Sequence, residues 1–274
     1  MKGSLNMEKS NVINVNKYSL ASYCVEIFFN DISLSTGTCF FTKRNGITYL
    51  VTNWHIVSGR NADTKQCLEA TGAIPNRLRV FIAEDQGEGT ARYHENSYID
   101  IPLYDENDTP LWYELAIENR MIDVALIPLS NTGFLHCTIE DAEEPFNEKV
   151  HYEIASELFI IGFPFAKNTE FMPIWKKATI ASEPEIDMDD MPYFYADTAT
   201  KAGMSGSPVI LYKDRPVIIV NEKENQISRH KTKFIGVYSG RIGANSDTRN
   251  DAQLGRIWKE SVIDRILEKY NPAL

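Results

Sequence analysis

From residue 18 onward, short runs rich in β-branched and aromatic residues alternate with turn signals. The run 23–29 (YCVEIFF) and the run 37–42 (GTCFFT) read as strands. Lys43-Arg44-Asn45-Gly46 follows. Asn-Gly is a strong hairpin signal because both residues tolerate positive φ, so 48–52 (TYLVT) is the returning strand. Further strands are expected at 78–83, 123–128, 158–162, 175–181, 194–197, 207–212, 216–221 and 234–238. Near the end, Leu254, Ile257, Trp258, Val262, Ile266 and Leu267 recur at helical steps. Arg256, Lys259, Glu260, Asp264 and Lys269 fill the other side, which predicts an amphipathic helix over 254–274. A second, weaker helix is predicted over 111–119. Residues 1–17 are polar and Asn-rich and read as a flexible arm, and the aperiodic, acidic stretch 131–156 reads as a connection. The chain is therefore expected to be mainly β, in two halves, 18–130 and 157–253, closed by a helix. No internal repeat is visible.

A chain of 274 residues buries roughly three quarters of its unfolded surface and needs no disulfide or metal staple. Its net charge of −10 argues against nucleic acid, which selects a basic face, and against a polybasic membrane anchor. No stretch approaches the ~20 apolar residues of a membrane span, and the N-terminus lacks the apolar core of a secretory signal. Cys24, Cys39, Cys67 and Cys137 are irregularly spaced, with no metal-ligand pattern. These features lead us to expect a cytoplasmic chain with reduced thiols and no metal or cofactor. His94, His136, His151 and His230 sit in polar contexts and are expected at the surface.

Three segments carry candidate chemistry. An apolar strand ends in a histidine at Leu50-Val51-Thr52-Asn53-Trp54-His55. Asp123 opens the apolar strand of Ile122-Asp123-Val124-Ala125-Leu126, a position that β-propensity disfavours. Ser205 lies between glycines in Gly203-Met204-Ser205-Gly206-Ser207-Pro208. Each segment alone is weak. Together they supply a hydroxyl, a base that titrates near neutrality and an anion to orient that base, the three parts that nucleophilic acyl transfer needs. Gly203 and Gly206 let the backbone bend sharply, so that nearby N–H groups can face a developing oxyanion.

These segments, in this order, resemble the chymotrypsin/trypsin-like serine protease superfamily. Thr-Asn-Trp-His is similar to its Thr-Ala-x-His box, with Asn53 in place of alanine. The segments around Asp123 and Ser205 resemble its Asp-Ile-Ala-Leu and Gly-Asp-Ser-Gly-Gly-Pro boxes, and Ile235-Gly236-Val237-Tyr238-Ser239-Gly240 resembles its substrate-pairing strand. The spacings of 68 and 82 residues between His55, Asp123 and Ser205 suggest an enlarged insert within 60–119. The resemblance implies two packed six-stranded antiparallel β-barrels, with the C-terminal helix against the second. It implies His55, Asp123 and Ser205 as catalytic residues and the N–H groups of Gly203 and Ser205 as the oxyanion hole. Val237, Tyr238, Ser239 and Gly240 would bind substrate as an added strand. Ala199, with Thr200 beside it, would lie at the base of the specificity pocket, favouring an uncharged, apolar or small residue before the scissile bond. Arg241 would instead favour an acidic one.

The sequence departs from the family in two further ways. Met204 replaces the aspartate that pairs with a cleaved N-terminus in zymogen-type members, so activity is not expected to need that ammonium. Ile56 replaces a disulfide cysteine, which agrees with a reducing compartment. Ser207 is expected to hydrogen-bond locally. The expected partner is a protein or peptide substrate, with a regulatory protein as a further candidate. The alternative readings are a catalytically silent two-barrel binding module and a protease held inactive until a partner binds.

Overall fold

The computed structural model describes residues 15–87, 90–130, 133–134, 136–143, 151–165, 171–213, 217–220, 225–228, 231–241 and 253–271. In chain order the elements begin with α1 (Lys17–Leu20), β1 (Ser22–Phe29), β2 (Ile32–Arg44), β3 (Ile47–Thr52) and α2 (Trp54–Ser58). Next come β4 (Arg77–Gly87), β5 (Thr90–Pro102), β6 (Ala116–Ile117), β7 (Arg120–Met121), β8 (Ala125–Leu129) and α3 (Ile139–Ala142). The second half contains β9 (Glu157–Gly162), β10 (Ile174–Ile180), β11 (Tyr193–Asp197), β12 (Pro208–Lys213), β13 (Val217–Val220) and β14 (Asn225–Ser228). It ends with β15 (Lys231–Arg241), β16 (Leu254–Lys259) and α4 (Ser261–Tyr270).

The fold is mainly β and has a chymotrypsin-like two-part form. The first part is a six-stranded antiparallel sheet in the order β5-β4-β1-β2-β3-β8, a half-barrel whose edges are not joined among the described residues. The second is a closed barrel, β10-β11-β16-β15-β12-β9. The β2–β3 turn takes the hairpin form that its sequence requires, with φ of 51° at Asn45 and 79° at Gly46. Within 60–119, where an insert is expected, the long β4–β5 hairpin extends the first sheet through pairing of β4 with β1.

Strand β1 is buried on both faces over its first four residues. Tyr23, Val25 and Ile27 enter the core of the first sheet, while Cys24 meets Phe81 and Phe163. A further core lies where the halves meet. Phe40, Tyr49, Val51, Ile122 and Val124 pack with Ile161, Tyr193, Phe234, Val237 and Trp258.

Three local expectations need correction. Residues 254–259 form β16, so the terminal helix begins at Ser261. Ile257 and Trp258 fit either periodicity over so short a run, and pairing with β11 on one side and β15 on the other decides for strand. Residues 111–119 form no helix: Tyr113 bridges Leu126, and β6 pairs with β7. His136 is half-buried against the Phe41 ring rather than at the surface. His151 is exposed, while His230 and the side chains of His94 and Arg241 lie outside the described residues.

Helix α4 buries Val262, Ile263, Ile266 and Leu267 in the shared core. Its Tyr270 stacks on Tyr113 at 4.1 Å, and Lys269 Nζ donates to the Glu114 carbonyl at 2.9 Å. Arg44 of β2 ion-pairs with Glu140 of α3 and with Asp264 of α4. The helix thus grips both halves, not the second barrel alone. Among the described residues no helix is long and apolar enough to cross a membrane.

Trp258 is 1% exposed at the centre of the shared core. Trp258→Ala is expected to lower the unfolding free energy by about 3–5 kcal/mol. Chemical denaturation measures this, and a loss under ~1 kcal/mol would place the weight of the packing elsewhere.

Candidate active site

His55 lies in α2, a single turn that leaves β3 and stops at Gly59, whose φ of 65° forms a left-handed cap. Asp123 lies two residues ahead of β8, which pairs with β3. Adjacent strands of one sheet therefore deliver both residues to one end of the first half. The Asp123 carboxylate receives two hydrogen bonds from one residue. Its Oδ1 accepts the His55 backbone N–H at 2.9 Å, and its Oδ2 lies 2.8 Å from His55 Nδ1. This pairing fixes the tautomer, with the proton on Nδ1 and Nε2 left as the acceptor. Asn53 is fully buried, and its Nδ2 donates to the Asp123 carbonyl at 2.7 Å, which locks the backbone of the pair. The box that precedes the histidine therefore has a structural use for asparagine where the resemblance expects alanine.

Burial of the imidazole works to lower the His55 pKa. The Asp123 charge and hydrogen bond outweigh it, and the pKa lies above the ordinary value of 6.5.

Ser205 arrives from the second half, on the turn that leads into β12. Gly203 has φ of 93° and is packed so closely that a Cβ there would stand 2.2 Å from the Phe163 carbonyl. Gly206 has φ of 84°, and a Cβ there would meet the Thr38 carbonyl at 2.0 Å. Only glycine fits either place. Met204 N–H donates to the Lys201 carbonyl at 3.3 Å, closing the turn, and the Met204 side chain anchors it in the barrel core. Ser207 Oγ donates to the Met204 carbonyl at 2.6 Å, the local hydrogen bond expected of it. The N–H groups of Gly203 and Ser205 make no hydrogen bond among the described residues.

Thr38 of β2 joins the halves at this point. Its N–H donates to the Ser205 carbonyl at 2.8 Å. Its Oγ1 donates to the Gly203 carbonyl at 2.8 Å and accepts the Phe163 N–H at 3.1 Å. Its own carbonyl accepts from Thr52 Oγ1 at 2.9 Å. The sequence offers a polar Thr before an apolar run as a faint signal, but nothing in it names these partners.

Strand β12 ends its pairing with β15 at Pro208 opposite Val237. Beyond it, Gly206 N–H donates to the Tyr238 carbonyl at 3.0 Å and Tyr238 N–H to the Ser207 carbonyl at 2.9 Å. Ser239 and Gly240 come next, with no strand partner on that side among the described residues. A Cβ on Gly240 would stand 3.9 Å from Ser205 Oγ. Val237 and Tyr238 themselves are buried. Ala199, expected at the base of a pocket, is exposed, whereas Thr198 and Thr200 are buried. The in-and-out alternation of burial continues past the end of β11, with the threonines inward and Ala199 out.

Thr38→Val keeps the backbone donor and the shape but strands the Gly203 carbonyl and the Phe163 N–H. A stability loss of about 1–3 kcal/mol is expected, with Thr38→Ser restoring most of it in the same denaturation assay. In Asp123→Asn, the His55 titration followed by NMR is expected to move down, toward 6.5 or below, because its charge partner is gone. In the intact protein the raised value stabilises the fold below pH 6.5, and that contribution fades as pH rises through the His55 pKa.

No curated protein matches the chain. Among solved structures, the serine endoprotease from Yersinia pestis is similar at 14% identity, with a TM-score of 0.47 over 94% of this chain and 67% of that one. The structure of Rv3671c from M. tuberculosis, in an inactive form, is similar at 15% identity, with a TM-score of 0.45 over 92% of this chain and 87% of that one. The family model described as a trypsin-like peptidase domain matches residues 37–218, a span that takes in His55, Asp123 and Ser205. By that match, the chain belongs to the trypsin-like peptidase family.

Proposed function

We propose that the protein is a serine endopeptidase that cleaves peptide bonds through an acyl-enzyme. Ser205 Oγ attacks the scissile carbonyl carbon, and His55 Nε2 takes its proton and returns it to the leaving amine. Asp123 holds the imidazole and stabilises its cation. The Gly203 and Ser205 N–H groups receive the oxyanion, on the order of 3 kcal/mol per donor. Substrate backbone adds to β15 at Ser239 and Gly240, and the acyl-enzyme is then hydrolysed by water activated at the same histidine. The observation that carries this reading is the two-point hold of Asp123 on His55, with the nucleophile turn tied across the cleft to Thr38.

A second reading also has an observation in its favour. Ser205 Oγ and His55 are not hydrogen-bonded among the described residues. The alignment of nucleophile and base would then be completed by substrate or by a regulatory partner. A silent binding module would never complete it. This reading places the protein in a reducing compartment such as the cytoplasm, on the irregular cysteine spacing and on Ile56 in place of a disulfide cysteine.

Labelling with a fluorophosphonate tests the assignment. Label that requires both Ser205 and His55 supports an assembled nucleophile, and label that survives in Ser205→Ala sinks it. Ser205→Ala or His55→Ala is expected to reduce peptide turnover by roughly 10⁵–10⁶, and Asp123→Asn by about 10⁴. The rate is expected to rise with pH through a midpoint above 6.5, because only neutral His55 acts as base and its pKa is raised. A flat profile across that range would remove His55 from the role.

A further inference from the structure

Directly beneath the nucleophile turn, the mouth of the closed barrel is occupied by a side chain of the protein itself. Tyr238 is 1% exposed, and its backbone is bonded to both Gly206 and Ser207, next to Ser205. Its side chain turns into the barrel with Met204, Ile235 and Ile257. Its hydroxyl hydrogen-bonds to Thr200 Oγ1, and Thr200 is 6% exposed. Its ring lies on Gly255 of β16, where a Cβ would come within 2.5 Å of Tyr238 Cε2 and 2.9 Å of Thr198 Cγ2. Tyr238 therefore reaches from the wall at 198–200 to β16.

A substrate strand on the free edge at Ser239 and Gly240 sends its reacting carbonyl toward the Gly203 and Ser205 N–H groups. Its leaving amine faces His55, in the first half. The side chain of the residue that supplies the carbonyl is left one direction, into the barrel mouth between the 201–204 turn and β15. Tyr238 is already there. We propose that Tyr238, held by Thr200 and seated on Gly255, fills the recess for the residue before the scissile bond. The protein then accepts only glycine, alanine or serine at that position. This inference rests on the serine endopeptidase reading and narrows its substrate class to peptides cut after small residues. Thr200 acts as a positioning residue, since it fixes the ring through the hydroxyl and touches no substrate.

Peptidyl diphenyl phosphonates that differ only at the attacked residue read the recess directly. Ser205 Oγ forms a bond to phosphorus, and phenoxide leaves and takes up a proton as phenol. A plain fluorophosphonate, which carries no such side chain, reports the nucleophile separately. The wild-type protein is expected to react with the alanine probe ~10²-fold faster than with leucine or phenylalanine probes, since misfit of even a methylene costs roughly 10-fold or more. Tyr238→Val is expected to gain ~10-fold or more on the leucine probe. Tyr238→Phe, which keeps the ring but loses the bond to Thr200, is expected to keep the wild-type ranking with a narrower margin. Equal wild-type rates on alanine and phenylalanine probes would overturn the proposal even if Tyr238→Val failed to fold. So would an unchanged ranking in folded Tyr238→Val. Labelling by the fluorophosphonate with no reaction of any peptide phosphonate overturns the recess but keeps the nucleophile. No labelling by either overturns the endopeptidase reading, and the recess with it.

Discussion

One threonine sets the relation between the two halves at the point where chemistry is proposed. Thr38 commits its N–H, both roles of its hydroxyl and its carbonyl to four separate partners, and it is fully buried. Buried polar groups are costly unless they are paired, so these bonds leave the nucleophile turn little freedom to slide against the first sheet. The glycines reinforce that constraint, because Gly206 approaches the Thr38 carbonyl more closely than any side chain would allow. His55 and Asp123 depend on this registration, since they are fixed within the first half and would face nothing if the turn moved away. The apolar core around Trp258 supplies the adhesion between the halves, and the Thr38 bonds supply the alignment.

The two halves carry their share of the site differently. In the first, β3 and β8 are hydrogen-bonded neighbours, so the distance between His55 and Asp123 is a property of one sheet. In the second, Ser205 stands on a turn held by glycines at its rear, by Met204 below and by β15 at its side. The proposed base and its aspartate are held just beyond paired strands, His55 in the turn of α2 after β3 and Asp123 ahead of β8. The proposed nucleophile sits on a loop whose shape is imposed by its surroundings.

What the sequence makes legible follows the range of the interactions involved. The Asn45-Gly46 hairpin is local chemistry and can be read from the residues themselves. The histidine, aspartate and serine segments stand out because acyl transfer demands those residue types beside those turn formers. The boundary at 254–260 is not legible locally, because Ile257 and Trp258 suit a helix face as well as a strand, and only the flanking strands decide. The 111–119 segment is not legible locally for a related reason: its apolar residues look outward to Leu126 and Tyr270, not along one face of their own helix. The uses of Thr38, Asn53 and Tyr238 depend on partners from 14 to 165 residues away and leave at most a faint mark in local pattern, and the same holds for the open edges of the first sheet among the described residues.

The grip of α4 on both halves bears on the order in which the molecule comes into being. On the ribosome the first sheet emerges early and can pair before the barrel strands exist. The nucleophile turn follows and can meet Thr38, but the contacts of α4 are still missing, because Tyr270, Lys269 and Asp264 come after the strands described. The clasp closes only when residues 261–270 have left the exit tunnel. Timing of synthesis thus separates the making of His55 and Ser205 from the last contact that fixes the halves, so a nascent chain carries both residues before the clasp that holds them is complete.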